Sequence, residues 1–118
     1  MLTIYTEEEF TLFDAPEPRN KRLEYYTYKD EQIVTNEFSK MYYHVIQDLF
    51  NESPSKFLLS DLKDIIQITT DKDKLRSFYP ITDTYYLETN IDSNTKFSRL
   101  KKVLTAFELE DELIIKYE

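Results

Sequence analysis

No glycine occurs anywhere in the 118 residues of this chain. At the usual frequency of about 7%, a chain of this size carries about eight. Loops that cradle phosphate depend on glycine, because the backbone must approach the phosphate with no Cβ in the way. Walker A loops and dinucleotide-binding fingerprints are therefore excluded. Turns that require positive φ must use asparagine or aspartate, and Asp30, Asn51, Asn90 and Asp92 stand where such turns are expected. An AT-rich nucleotide bias explains the same absence without functional content, so the missing glycine excludes functions and names none.

Cysteine is absent too, which removes a disulfide framework, a thiol nucleophile and a thiolate metal site. His44 is the only histidine. Ser39 and Asp48 flank it at helical spacing, whereas a catalytic triad converges from separate elements, so His44 reads as a solvated or boundary residue. Asp71-Lys72-Asp73 lacks the glycine and distant glutamate of a calcium loop. Asp61-Leu62-Lys63 matches the carboxylate-x-Lys core of a restriction-type nuclease, but it lies in a helical stretch and not on a strand beside a second aspartate. The expectation is a non-catalytic protein with no cofactor and no metal.

The length suits one hydrophobic core, and 41% apolar with 32% charged residues is ordinary for a folded domain. Ten tyrosines and eight phenylalanines are a heavy aromatic load. Such rings fill cores, and their surplus collects at contact surfaces. No apolar run approaches the roughly 18–20 residues that span a bilayer. The start, Met1-Leu2-Thr3-Ile4-Tyr5 followed by Glu7-Glu8-Glu9, is unlike a signal peptide, so a cytoplasmic location is expected. The net charge of −8 is unevenly spread, with −6 over residues 1–66, +2 over 67–106 and −4 over 107–118. Only the middle stretch suits a phosphate backbone.

Residues 1–22 read as an N-terminal arm, with an edge strand at Leu2-Thr3-Ile4-Tyr5 and an apolar anchor at Phe10-Thr11-Leu12-Phe13. Ala15-Pro16-Glu17-Pro18 then breaks regular structure. Residues 23–118 read as a single α+β domain of order β-β-α-α-β-α-β, with an antiparallel or mixed sheet packed on helices. Leu23–Tyr28 and Gln32–Thr35 flank the turn Lys29-Asp30-Glu31 as a hairpin. Asn36 is placed to cap a helix striped by Phe38, Met41, Tyr42, Val45 and Leu49. Ser53-Pro54 starts a second helix, in which Ser60-Asp61 is a candidate break. Thr69 to Lys74 reads as a polar loop and Tyr85 to Thr89 as a strand. Ser93 is expected to cap a third helix carrying Phe97, Leu100, Val103, Leu104 and Phe107, and Leu113 to Tyr117 is the last strand. The core prediction is Phe38, Tyr42, Val45, Leu49, Leu100, Leu104 and Phe107.

From Tyr28 to Glu118, roughly four-fifths of the chain, the sequence resembles a small C-terminal accessory domain of bacterial restriction-system proteins that begin with a ParB-like nuclease domain. The residues that carry the resemblance are Lys29-Asp30-Glu31-Gln32-Ile33-Val34, Asp48-Leu49-Phe50 and Ser53-Pro54-Ser55-Lys56-Phe57. Tyr85-Tyr86-Leu87-Glu88-Thr89-Asn90, Ser93, the helix from Leu100 to Phe107 and Asp111-Glu112-Leu113-Ile114-Ile115 complete them. It implies a setting, defence against foreign DNA or a mobile element, and no chemistry.

Two surfaces then compete. Strand alternation puts Glu24, Tyr26 and Tyr28 on one side of their strand. With Asp30, Tyr86 and Glu88 they make an acidic aromatic face for a basic protein partner. The alternative is a nucleic-acid interface on the third helix through Lys96, Arg99, Lys101 and Lys102, with Lys72, Lys74 and Arg76 just upstream. Against it, the flanking acidic segments oppose a phosphate chain, and a solvated helix face accounts for the same lysines.

Overall fold

The computed structural model describes residues 8–118, so the strand expected at residues 2–5 lies outside them. The chain is α+β, with every strand pair antiparallel. Its elements are β1 (Phe10–Thr11), β2 (Leu23–Tyr28), β3 (Glu31–Val34), α1 (Phe38–Glu52), α2 (Pro54–Leu58) and α3 (Leu62–Ile66). They continue with β4 (Ile68–Thr69), β5 (Phe78–Pro80), β6 (Tyr86–Glu88), α4 (Ser93–Ala106) and β7 (Leu113–Tyr117). One sheet has the order β1-β7-β2-β3 and a smaller one β4-β6-β5.

The apolar stripes of α1 and α4 explain the core. Phe38, Met41, Tyr42, Val45, Ile46 and Leu49 from α1 are buried with Phe97, Leu100, Val103 and Leu104 from α4. Phe38 meets Phe97 edge to face with centroids 5.4 Å apart. Phe107, expected in the core, is half-buried, because it is the C-cap of α4 and sits at the end of the stripe.

The described part of the arm belongs to the sheet and the core. Phe10 pairs with Ile115 and Thr11 with Ile114, and Leu12 is fully buried. The second expected helix is two. Ser60 Oγ donates to Lys56 O at 2.6 Å and accepts from Leu62 N at 3.2 Å, ending α2 and turning the chain into α3. The expected third helix is thus α4. Its N-cap is Asp92, whose carboxylate accepts from Thr95 N at 2.7 Å, one residue before the expected Ser93. The N-cap of α1 is Glu37 and not Asn36, with no side-chain cap bond. The polar loop at residues 69–74 contains the end of β4 and a 3-10 turn at Lys72–Lys74, and β5 follows where no strand is expected.

Without glycine, positive φ falls to Asn20, Lys29, Asp30, Gln67 and Glu108. Of the four expected positions only Asp30 is among them. Lys29 (φ 49°) and Asp30 (φ 69°) form the two-residue turn between Tyr28 and Glu31, which requires the left-handed region at both central residues. Gln67 caps α3 and Glu108 follows α4, positions that glycine usually fills.

Candidate interaction surface

Strict alternation fails in β2. The pairing with β7 shifts between Leu23 and Tyr25, leaving Glu24 as an extra residue. A one-residue slip inverts the facing of everything beyond it. Leu23 is therefore buried on the same side as Tyr26 and Tyr28, each 2% exposed, while Glu24 stays outside. The expected acidic aromatic face does not assemble. Glu24 instead pairs with Lys116 Nζ at 3.2 Å.

The hydroxyls of the two buried tyrosines point to α1. Tyr26 shares a 2.7 Å hydrogen bond with His44 Nδ1, and Tyr28 donates to Asp48 Oδ2 at 2.7 Å. Burial, with the charge of Glu31, pushes the Tyr26 hydroxyl up to about 12. Burial also raises Tyr28, reinforced by its bond to Asp48 and by the charges of Asp48, Glu52 and Glu112. His44 is accordingly a half-buried residue that ties β2 to α1.

In the small sheet, Tyr86 is half-buried and packs edge to face on Phe78 at 5.4 Å. Glu88 is 3% exposed and cannot face a partner. Its Oε1 accepts from Arg76 N at 2.8 Å. Its Oε2 accepts from Ser77 N at 3.0 Å, Thr89 N at 3.1 Å and Asn90 N at 3.0 Å. Burial alone would raise this carboxyl, but those amides outweigh it and hold it below the ordinary glutamate value.

The basic helix is partly consumed as well. Lys96 is 7% exposed and donates to Ile91 O at 2.9 Å, and burial lowers its ammonium below the usual lysine range against the opposing charge of Asp92. Arg99 spans to α3 and its cap, donating to Ile66 O at 3.1 Å and Gln67 Oε1 at 3.0 Å. Only Lys101 and Lys102 remain available. The notion of four lysines and arginines on one solvated face is corrected accordingly. Asp71 accepts from Asp73 N at 3.1 Å and so caps the 3-10 turn, and Asp61 is the N-cap of α3. Among the described residues no group of three or more His, Asp or Glu side chains is placed to hold a metal.

A different acidic cluster emerges where the β2–β3 turn meets the C-terminal end of α1. Lys29 N donates to Glu112 O at 3.0 Å, which joins this turn to the one preceding β7. Lys29 Nζ reaches Asp48 at 3.0 Å and Glu52 at 3.5 Å. Asp30, Glu31, Glu52, Asp111 and Glu112 are exposed around this contact and Asp48 is half-buried. Burial would raise the Asp48 carboxyl, but hydrogen bonds from Tyr28 and Lys29 leave it lowered. Of this site the sequence offers only Asp30, as part of the expected acidic face. The i, i+4 spacing of Asp48 and Glu52 was visible, but nothing local says that residue 29 lands beside them.

No protein-family model matches the chain, and no curated protein or solved structure matches it either. The resemblance to the restriction-system accessory domain therefore gains no support from them.

Proposed function

We propose that this protein is a non-catalytic interaction module, in the defence or mobile-element setting its sequence resemblance implies, and that it engages a basic protein partner. The contact is the acidic end formed by Asp30, Glu31, Asp48, Glu52, Asp111 and Glu112. The observation that carries this reading is an electrostatic arrangement that folding alone disfavours. The end of α1 bears the negative pole of the helix dipole, yet its last turn holds Glu52 and no basic residue. More carboxylates gather there, and Lys29 is the one cation that the described contacts place among them. Uncompensated charge of this kind steers a partner of opposite sign and adds little to stability.

An NMR titration with a decalysine peptide tests the placement. Amide shifts concentrated at residues 29–31, 48–52 and 110–112, and fading as salt rises, are the expected result. Shifts spread evenly over all acidic segments, or centred on residues 8–17, would contradict it. Electrophoresis with duplex DNA across a salt series is expected to show no complex.

A further inference from the structure

We infer that the loop from Asp71 to Ser77, together with the outer face of the small sheet, forms a second docking surface for an acidic peptide segment carrying an aromatic or apolar residue. This goes beyond the acidic end and stands on different residues. Lys72, Lys74 and Arg76 are exposed on this loop, and among the described residues none of the three makes an ion pair. Of the two carboxylates on the loop, Asp71 is engaged in capping the 3-10 turn and Asp73 is exposed between Lys72 and Lys74, so the three cations outnumber the acids that face solvent with them. The loop leads directly into β5, where Phe78 is 45% exposed beside Tyr86.

Two features make this a prepared surface and not a chance run of charge. The loop is fixed from beneath, because the buried Glu88 carboxylate accepts from both Arg76 N and Ser77 N. Thr89 adds a second attachment, with its N–H donating to Ser77 O at 3.1 Å and its hydroxyl to Ser77 Oγ at 2.8 Å. A contact surface ordered before binding loses less conformational freedom when it binds. The cations and rings are also already coupled, since Lys72 Nζ lies 5.3 Å from the centroid of Phe78.

That coupling selects the occupant. Both a single-stranded nucleic acid and an acidic peptide bring negative charge and something to lay against a ring. A stacked base needs the open face of Phe78, over which the Lys72 ammonium sits. A carboxylate can approach Lys72 and leave the cation–π contact in place, while an apolar side chain packs beside Phe78 and Tyr86. Charge complementarity calls for an acidic occupant, and the ring geometry favours the peptide over the nucleic acid.

The test uses a fluorescent decapeptide of glutamate and phenylalanine, with a ten-residue oligothymidine of equal label as competitor. The full chain is expected to bind the peptide in a salt-dependent way, with oligothymidine a poor competitor. Replacing Lys72, Lys74 and Arg76 by Glu should weaken binding at least about thirtyfold, and Phe78→Ser about tenfold, as for loss of an aromatic anchor. Replacing Lys101 and Lys102 by Glu should change it less than about threefold. Because Phe78 lies on a strand, the melting temperature is measured for each variant, and the loop variant, which keeps its backbone bonds to Glu88, decides if Phe78→Ser unfolds. The inference is overturned if the loop variant binds as well as the parent chain, or if the α4 variant loses as much. It is also overturned if oligothymidine binds more tightly than the peptide, or if the signal tracks self-association in sedimentation.

Discussion

Glu88 in the small sheet and Glu52 at the end of α1 are the same chemical group in opposite circumstances. Glu88 is buried and surrounded by backbone amides, which replace the water it gave up. Glu52 is exposed, stands at the unfavourable end of a helix dipole and shares one lysine with Asp48. The first charge is consumed by the fold and the second is left over. The basic residues divide in the same manner, with Lys96 and Arg99 tied to carbonyls and Lys72, Lys74 and Arg76 outside. Net charge in a segment therefore overstates what a partner can meet.

The comparison is broken most easily through stability. Glu88→Ala leaves the N–H groups of residues 76, 77 and 90 without their acceptor, while Thr89 N–H keeps Ser77 O, and should cost about 3 kcal/mol in denaturant unfolding. That places it level with a core deletion such as Leu104→Ala, for which about 2–5 kcal/mol is expected. A loss below about 0.5 kcal/mol for Glu88→Ala would mean that water replaces the carboxylate and that this charge is not structural.

The pH dependence sharpens the same point. The folded Glu88 carboxyl lies below its ordinary 4.5, so its stabilisation is fully present above that value and is lost as pH falls through the folded value. Unfolding measured from pH 7 to pH 2 should show wild type losing stability in acid. Glu88→Gln should start lower at pH 7 and decline less steeply, and parallel curves would remove Glu88 from the account.

Smaller effects test the remaining elements. Tyr28→Phe deletes the hydroxyl bond to Asp48 and should cost about 1 kcal/mol in the same unfolding assay. Glu108→Gly should stabilise the chain by up to about 1 kcal/mol, because Glu108 holds φ 58° where a helix normally ends on glycine. Glu52→Ala should change stability by less than about 0.5 kcal/mol, since the exposed pair with Lys29 contributes little.

Legibility in the sequence followed the range of the interactions involved. The stripes of α1 and α4 could be read because a helix repeats its inward residues locally, and six of the seven expected core residues are buried. The β2–β3 turn was legible for the same reason. The site was not. Alternation from Glu24 puts Tyr26 and Tyr28 outward, and a single bulge there reverses them. Glu88 reads as an exposed acid in the sequence, but its carboxylate is enclosed by backbone amides, and those at residues 76 and 77 reach it across the pairing of β5 with β6. No side-chain pattern announces such a bond. The acidic end depends on residues 29, 48, 52 and 112 meeting, which only the folded chain brings about.

Affinity for a basic peptide, compared between two charge-reversed variants of identical net charge, tests the central claim most directly. One variant replaces Glu31, Glu52 and Glu112 by Lys, and the other replaces Asp14, Glu17 and Asp83, which are equally exposed. The account predicts that the first loses at least about tenfold in decalysine binding at low salt while the second loses less than about threefold, since steering depends on where charge is focused. Equal losses in the two would show that the peptide reads only the overall charge of −8, and the acidic end would then be no site at all.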